Sequence, residues 1–281
     1  MENILVTTDQ STNSKAGIRF AIQLAAHRKA SLTILQVYHN MKPSSWSDSA
    51  FKKYQDAFKQ KTTEELKSFI SGIYHGMDAP EVRYELVLLS NIDVVDGIMD
   101  YATKNGCAYI CISTRGAGIL RKIFGTNTAQ LITKSQIPVV CVPSSYHLRE
   151  IKHILYASDM TDYGNELQKV VNFARPFDAS IDIIHISYPY EFEFDKQMME
   201  AALQKKTHYT VNLLSRSRNM DNTLLQDLDD ALEINKPSVL VLFTHQSKSM
   251  FEKLFSPSNS TAYSFYGKIP LLTFSKNDLD S

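Results

Sequence analysis

Short apolar runs alternate with longer stretches of helical spacing along this chain. Residues 4–7 form a buried-strand pattern, short, apolar and β-branched. Residues 14–28 follow with apolar positions at Ile18, Ala21, Ile22 and Ala25, the period of an amphipathic helix. Residues 32–37, 82–88, 109–112 and 139–142 predict four more strands. Between them, residues 48–74 predict a long polar helix with a Phe51, Tyr54, Phe58 stripe. Asn91 is placed to cap a helix carrying Ile92, Val95, Met99 and Ala102, and another helix is expected over residues 126–135. Strands alternating with helices predict an α/β fold, with a mostly parallel sheet covered on both faces.

The second half repeats the first. Ile4-Leu5-Val6-Thr7-Thr8-Asp9-Gln10-Ser11 reappears 150 residues later as Ile154-Leu155-Tyr156-Ala157-Ser158-Asp159-Met160-Thr161. Three further matches keep the order: 30–35 with 179–184, 108–115 with 238–245, and 137–140 with 269–272. A deletion of roughly 20 residues in the second copy's second helix explains the drift in spacing, and so long a period indicates duplicated domains. The copy predicts strands over 154–157, 181–186, 209–214, 239–243 and 271–274. It predicts helices over 164–175, 192–206 and 222–233, and a weaker one near Tyr263. The division is 1–143, a polar linker at 144–150, and 151–281. The duplication is also an internal control, because a feature present in one copy only is not needed for the fold.

Composition narrows the function. Thirty basic residues balance thirty acidic ones, which argues against a broad footprint for nucleic acid or an anionic membrane. The sequence holds no apolar run long enough to span a bilayer and opens without a signal-peptide layout, so the cytoplasm is expected. Cys107, Cys111 and Cys141 lie in or beside apolar runs, as buried thiols in a reducing compartment would. They have no metal-ligand spacing.

One segment could carry chemistry. Ser113-Thr114-Arg115-Gly116-Ala117-Gly118 follows the fourth predicted strand, and Gly125-Thr126-Asn127-Thr128 opens a helix. Backbone N–H groups at a glycine beside a helix N-terminus suit an anion. Asp9 ends the first strand on the same edge, where open parallel sheets bind ligands. Two readings stay open: a phosphate cradle, or glycines that only make turns before an ordinary Thr126 cap. The persistence of Asp159 without a glycine loop favours a structural part for the acid. No P-loop or dinucleotide fingerprint is present, and residues 113–128 contain no acid to hold a metal for hydrolysis. Binding without efficient turnover, and so no enzyme, is the expectation.

These residues resemble a tandem universal stress protein, two domains of that family in one chain, over essentially its whole length. The opening strand looks like the family's V-P-x-D-x-S, with Thr7 where proline is common, and Ile137-Pro138-Val139-Val140 looks like its last strand. Nucleotide-binding members carry G-x2-G-x9-G-[ST]. Here Ser113 takes the first glycine's place, and eight residues, 117–124, separate Gly116 from Gly125. The resemblance implies two Rossmann-like (adenine nucleotide alpha hydrolase-like) domains, each an open five-stranded sheet. It implies ATP or AMP as ligand, with Mg accompanying ATP. Gly116, Gly125, Thr126, Asn127 and Thr128 would surround phosphates, Ser113 would lie near ribose and phosphate, and Asp9 and the Val37 backbone would face adenine or ribose. The second domain keeps Asp159 but none of the motif glycines, so it is expected to act as the first domain's partner. The family's dimerisation through the last strand implies that 139–142 pair with 271–274 in an intramolecular pseudo-dimer. Whether whole chains pair again, and which protein they meet, stays open. The alternative is an interaction scaffold that binds no nucleotide.

Overall fold

The structure is a computed structural model that describes residues 1–77, 81–114, 126–188, 195–244 and 269–275. In the first half, strands β1 (Asn3–Thr7), β2 (Ser31–Tyr38), β3 (Tyr84–Ser90), β4 (Tyr109–Thr114) and β5 (Val139–Pro143) alternate with helices. The helices are α1 (Ser14–Arg28), α2 (Asp48–His75), α3 (Val94–Lys104) and α4 (Thr126–Lys134). The second half supplies β6 (His153–Ala157), β7 (Ser180–Ser187), β8 (Val211–Ser217), β9 (Val239–Thr244) and β10 (Leu271–Ser275). Its described helices are α5 (Tyr163–Ala174), α6 (Lys196–Thr207) and α7 (Leu224–Asn235).

All ten strands lie in one sheet, in the order β3-β2-β1-β4-β5-β10-β9-β6-β7-β8. The order reads as two mirrored copies, and the registers agree. Ile4 sits between Leu32 and Tyr109, as Ile154 sits between Ile181 and Val239. Among the described residues, every pairing within a half is parallel and the seam alone is antiparallel, with Leu271 opposite Cys141 and Thr273 opposite Val139. The expected pairing of the two last strands is therefore present. It covers two edges that would otherwise be open to other chains.

Buried side chains form one layer on each face of this sheet. Ile4, Val6, Ile34 and Cys111 pack under α1 and the C-terminal half of α2, through Ile18, Phe20, Leu66 and Ile70. Leu5, Leu35 and Ile110 pack on the other face, under Ile98 of α3 and Leu131 of α4. The first layer runs on through Tyr109 and Phe173, rings 5.9 Å apart, into the second half. The free thiols of Cys107, Cys111 and Cys141 are all buried. Burial, and behind it the charge of Glu85, pushes the Cys107 thiol up to about 11.

Several boundaries differ from the expectation. Asp93, not Asn91, caps α3, its carboxylate accepting from the N–H groups of Val95 and Asp96 at 2.8 and 3.0 Å. Asn91 instead accepts from the Asp93 N–H at 3.1 Å, setting the turn before the helix. Strand β3 runs to Ser90 because it pairs with β2 as far as Tyr38. Strand β8 likewise runs to Ser217 against Ser187 of β7. The polar linker is packed down: Tyr146 is buried with its ring 5.6 Å from that of Phe20. The helix expected near Tyr263 lies outside the described residues.

Candidate functional site

In the first half the sheet order reverses between β1 and β4, and the C-terminal edge of those strands is where this architecture binds ligands. The β1–α1 turn is fixed from within. Thr8 donates its N–H to the Leu35 carbonyl at 3.0 Å. Gln10 then adopts a left-handed conformation, φ 59°, and its N–H reaches the Thr8 hydroxyl at 3.0 Å. The Ser11 N–H donates to Asp9 Oδ1 at 3.0 Å, an Asx turn. Burial pushes the Asp9 carboxyl up, but hydrogen bonds from Ser11, Asp9's own N–H and Ser14 outweigh it and hold the group below its ordinary value. The carboxylate is exposed and anionic at neutral pH.

Ser113, at the end of β4, turns towards α1. Its hydroxyl accepts the Gly17 N–H at 2.7 Å and donates to the Ser14 carbonyl at 3.2 Å. A Cβ on Gly17 would lie 2.6 Å from that hydroxyl, so the helix approaches the strand this closely only with glycine there. Sequence reasoning passed over Gly17, although a glycine inside a helix costs about 1 kcal/mol and signals a close approach. Val37 lies on the opposite face, half-buried against the α3/α4 layer and opposite Leu89.

Gly116 and Gly125 lie outside the described residues. Thr126 is the first residue of α4, Asn127 is exposed, and Thr128 is buried. The N–H groups of that first turn have no partners within the helix and carry its positive dipole end. Just before the undescribed stretch, the Thr114 hydroxyl is buried and has no hydrogen-bond partner among the described residues. The structure thus brings Asp9, Val37, Ser113 and the start of α4 to one edge of the sheet, with Ser113 engaged by α1. Among the described residues, no group of three or more His, Cys, Asp or Glu side chains is placed to hold a metal ion.

The second half repeats the turn. Ser158 donates to the Ile184 carbonyl, Met160 has φ 61°, and the Thr161 N–H reaches Asp159 Oδ1 at 3.0 Å. Its surroundings differ. Leu167 and Phe243 stand where the first half has Gly17 and Ser113. The Phe243 ring stacks on Phe274 at 5.0 Å and meets Tyr156 edge-on at 5.5 Å. The Tyr156 hydroxyl donates to the buried Glu166 carboxylate. Burial and that neighbouring charge push the phenol far above its ordinary range.

Comparison with known proteins decides the family. The universal stress protein family's sequence profile matches residues 1–143, half of the chain. This chain belongs to the universal stress protein family. No curated protein matches it in sequence. A universal stress protein from Archaeoglobus fulgidus is similar across 97% of this chain and 98% of its own, at 16% identity and a TM-score of 0.71. A functionally unknown protein from Pseudomonas aeruginosa is similar across 99% of this chain and 94% of its own, at 14% identity and a TM-score of 0.57. At those identities the likeness shows the fold alone, and it extends over both halves of the chain. None of the described helices is long and apolar enough to cross a membrane.

Proposed function

We propose that this universal stress protein is a stress-linked regulatory protein that binds an adenine nucleotide, ATP or AMP, in its N-terminal domain. The observation that supports it is that the Asp9 turn and the N-terminus of α4 lie on the same edge of the sheet, on the side of the β1/β4 switch point. The dipole end of α4, with Thr126, Asn127, Thr128 and the glycines Gly116 and Gly125, suits phosphates. Asp9 is ionised and can accept from ribose hydroxyls or an adenine amino group, with the Val37 backbone beside it. Mg would accompany ATP. Little or no hydrolysis is expected, because residues 113–128 supply no carboxylate for a metal and no base for water. Residues 151–281 form the partner domain of an intramolecular pseudo-dimer, and pairing of whole chains is compatible with it. The free, buried thiols fit the reducing cytoplasm.

Calorimetry of the full chain with ATP, ADP and AMP tests the reading. Binding at up to millimolar ligand, abolished by Gly125→Val, is expected. A folded protein that gives no heat would leave the second reading, a scaffold without nucleotide. That reading draws on Ser113, whose hydroxyl is bound to α1 at the position where binding members carry glycine.

A further inference from the structure

The sheet ends in two edge strands, β3 and β8, and the two halves finish them differently. The β8 edge is closed by α6. Arg218 donates its N–H to the Ser187 carbonyl of β7, so by the alternation of a parallel ladder Val211 and Leu213 turn their N–H and C=O groups outwards. The Glu200 carboxylate accepts the Leu213 N–H at 2.7 Å, and the Gln204 amide donates to the Val211 carbonyl at 3.3 Å. The side chains of Val211 and Leu213 are buried, and the exposed positions of the strand, Asn212, Ser215 and Ser217, are polar.

The β3 edge has neither protection. The Arg83 carbonyl accepts from Leu32 and Asn91 donates to the Tyr38 carbonyl, so the residues between them that face outwards are Tyr84, Leu86, Leu88 and Ser90. Their outward N–H and C=O groups have no partner among the described residues. Leu86, Val87, Leu88 and Leu89 are only half-buried, whereas Leu32, Ile34 and Leu35 of β2 are fully buried. The strand contains no lysine, proline or bulge, the devices that guard an edge. Its single charge, Glu85, is already held by the hydroxyls of Thr33 and Tyr101 at 2.9 and 3.1 Å.

An open row of backbone donors and acceptors is complemented by another strand, and this row complements itself. Around a twofold axis through Val87, an antiparallel second copy sets Tyr84 opposite Ser90 and Leu86 opposite Leu88, so every outward N–H and C=O gains a partner. Leu86 and Leu88 pack towards the α1/α2 layer, and Val87 and Leu89 towards the α3/α4 layer. An axis normal to the sheet keeps each side chain on its own face. Leucines then meet on one face and the two copies of Val87 on the other, the bulky Tyr84 faces the small Ser90, and Glu85 falls opposite Leu89, so no like charges meet. We propose that β3 is the interface of a homodimer, two chains joined antiparallel across Val87. A foreign strand could use the same row, but β3 offers no free charge to select one, whereas the second copy fits by symmetry. Because β8 is closed, assembly stops at two chains and does not run on as a filament. The inference is independent of the nucleotide reading.

Light scattering of the full chain across the micromolar range should give the mass of two chains. Leu88→Pro removes an outward N–H and no bond to β2, so it should keep the fold, read by circular dichroism, and weaken the dimer at least tenfold. Val87→Cys places two thiols at a pair whose Cα atoms lie about 4.5 Å apart, within disulfide reach. Oxidised glutathione should then link two chains covalently. The unmodified chain, whose own thiols are buried, should stay unlinked. A chain that is monomeric throughout overturns the proposal. So does a dimer that a folded Leu88→Pro leaves intact, or a dimer whose Val87→Cys variant does not cross-link. If Leu88→Pro unfolds, the cross-link decides alone.

Discussion

The two halves build the same corner from the same backbone and fill it differently. After β1 and after β6 the chain makes one identical turn, with Asp9 and Asp159 each accepting the N–H two residues on at 3.0 Å. Around the first, α1 comes close to β4 through Gly17 and Ser113. Around the second, Phe243, Phe274 and Tyr156 pack as an aromatic block. The turn therefore belongs to the fold, and the filling decides what else a half can do. An aromatic block contributes burial and occupies space, whereas a serine against a glycine keeps the strand end polar.

The block should carry the larger energy. Phe243→Ser gives the second half the residue of the first and opens a cavity beside Tyr156 and Phe274. Loss of about 3–5 kcal/mol is expected, read from urea unfolding monitored by circular dichroism. A loss below about 1 kcal/mol would mean that the block contributes little to stability.

The reverse exchange tests the first corner. Gly17→Leu copies Leu167 into a helix whose Cβ position lies 2.6 Å from Ser113 Oγ and 3.0 Å from the Ser113 nitrogen. Overpacking of about 2–3 kcal/mol is expected, again from urea midpoints. Ser113→Gly should recover part of the milder loss in Gly17→Ala, because it removes the clashing hydroxyl. If the two changes add without coupling, the close approach is not what holds α1 here.

Much of this was legible beforehand. Strands such as 4–7 and 154–157 announce themselves because both faces of a parallel sheet are covered and the runs are apolar throughout. The repeat gave the second half its strand order, and the last strands met as expected. What stayed hidden depends on contacts between distant segments. Asn91 and Asp93 are equally good caps on paper, and the turn geometry selects Asp93. Tyr146 reads as linker until Phe20, far away in sequence, provides a place to bury it. Of the candidate site, Asp9 and Thr126 could be placed from the strand and helix signals. Ser113's bond to Gly17 joins residues 96 apart in sequence, which no local pattern encodes.

The seam between the halves has its own pH response. Burial pushes the Tyr109 phenol up to about 12, against the opposing charge of Arg28. A group whose folded value is raised stabilises the fold fully below its unfolded value, near pH 10, and that stability is lost as pH rises towards 12. A fall of about 2 kcal/mol across that interval is expected. Tyr109→Phe should flatten this limb of a urea-midpoint profile, relative to the unmodified chain. An unchanged slope would place the alkaline loss away from Tyr109.

The smallest effect discriminates best between the halves. Asp9→Asn and Asp159→Asn each keep an oxygen for the Asx turn but remove the charge. The Asp9 carboxyl is held below its ordinary value, so its contribution is present above about pH 4 and is lost as pH falls below that. If both acids serve the turn alone, the two variants should cost the same, under about 1 kcal/mol at neutral pH, with nucleotide heats untouched. If Asp9 also faces ribose or adenine, Asp9→Asn should weaken nucleotide binding about tenfold while Asp159→Asn leaves it unchanged. The stability pair then serves as the control for the binding pair. A duplicated turn allows this separation because its second copy has the same backbone, bonded in the same way, beside a corner filled with aromatic rings.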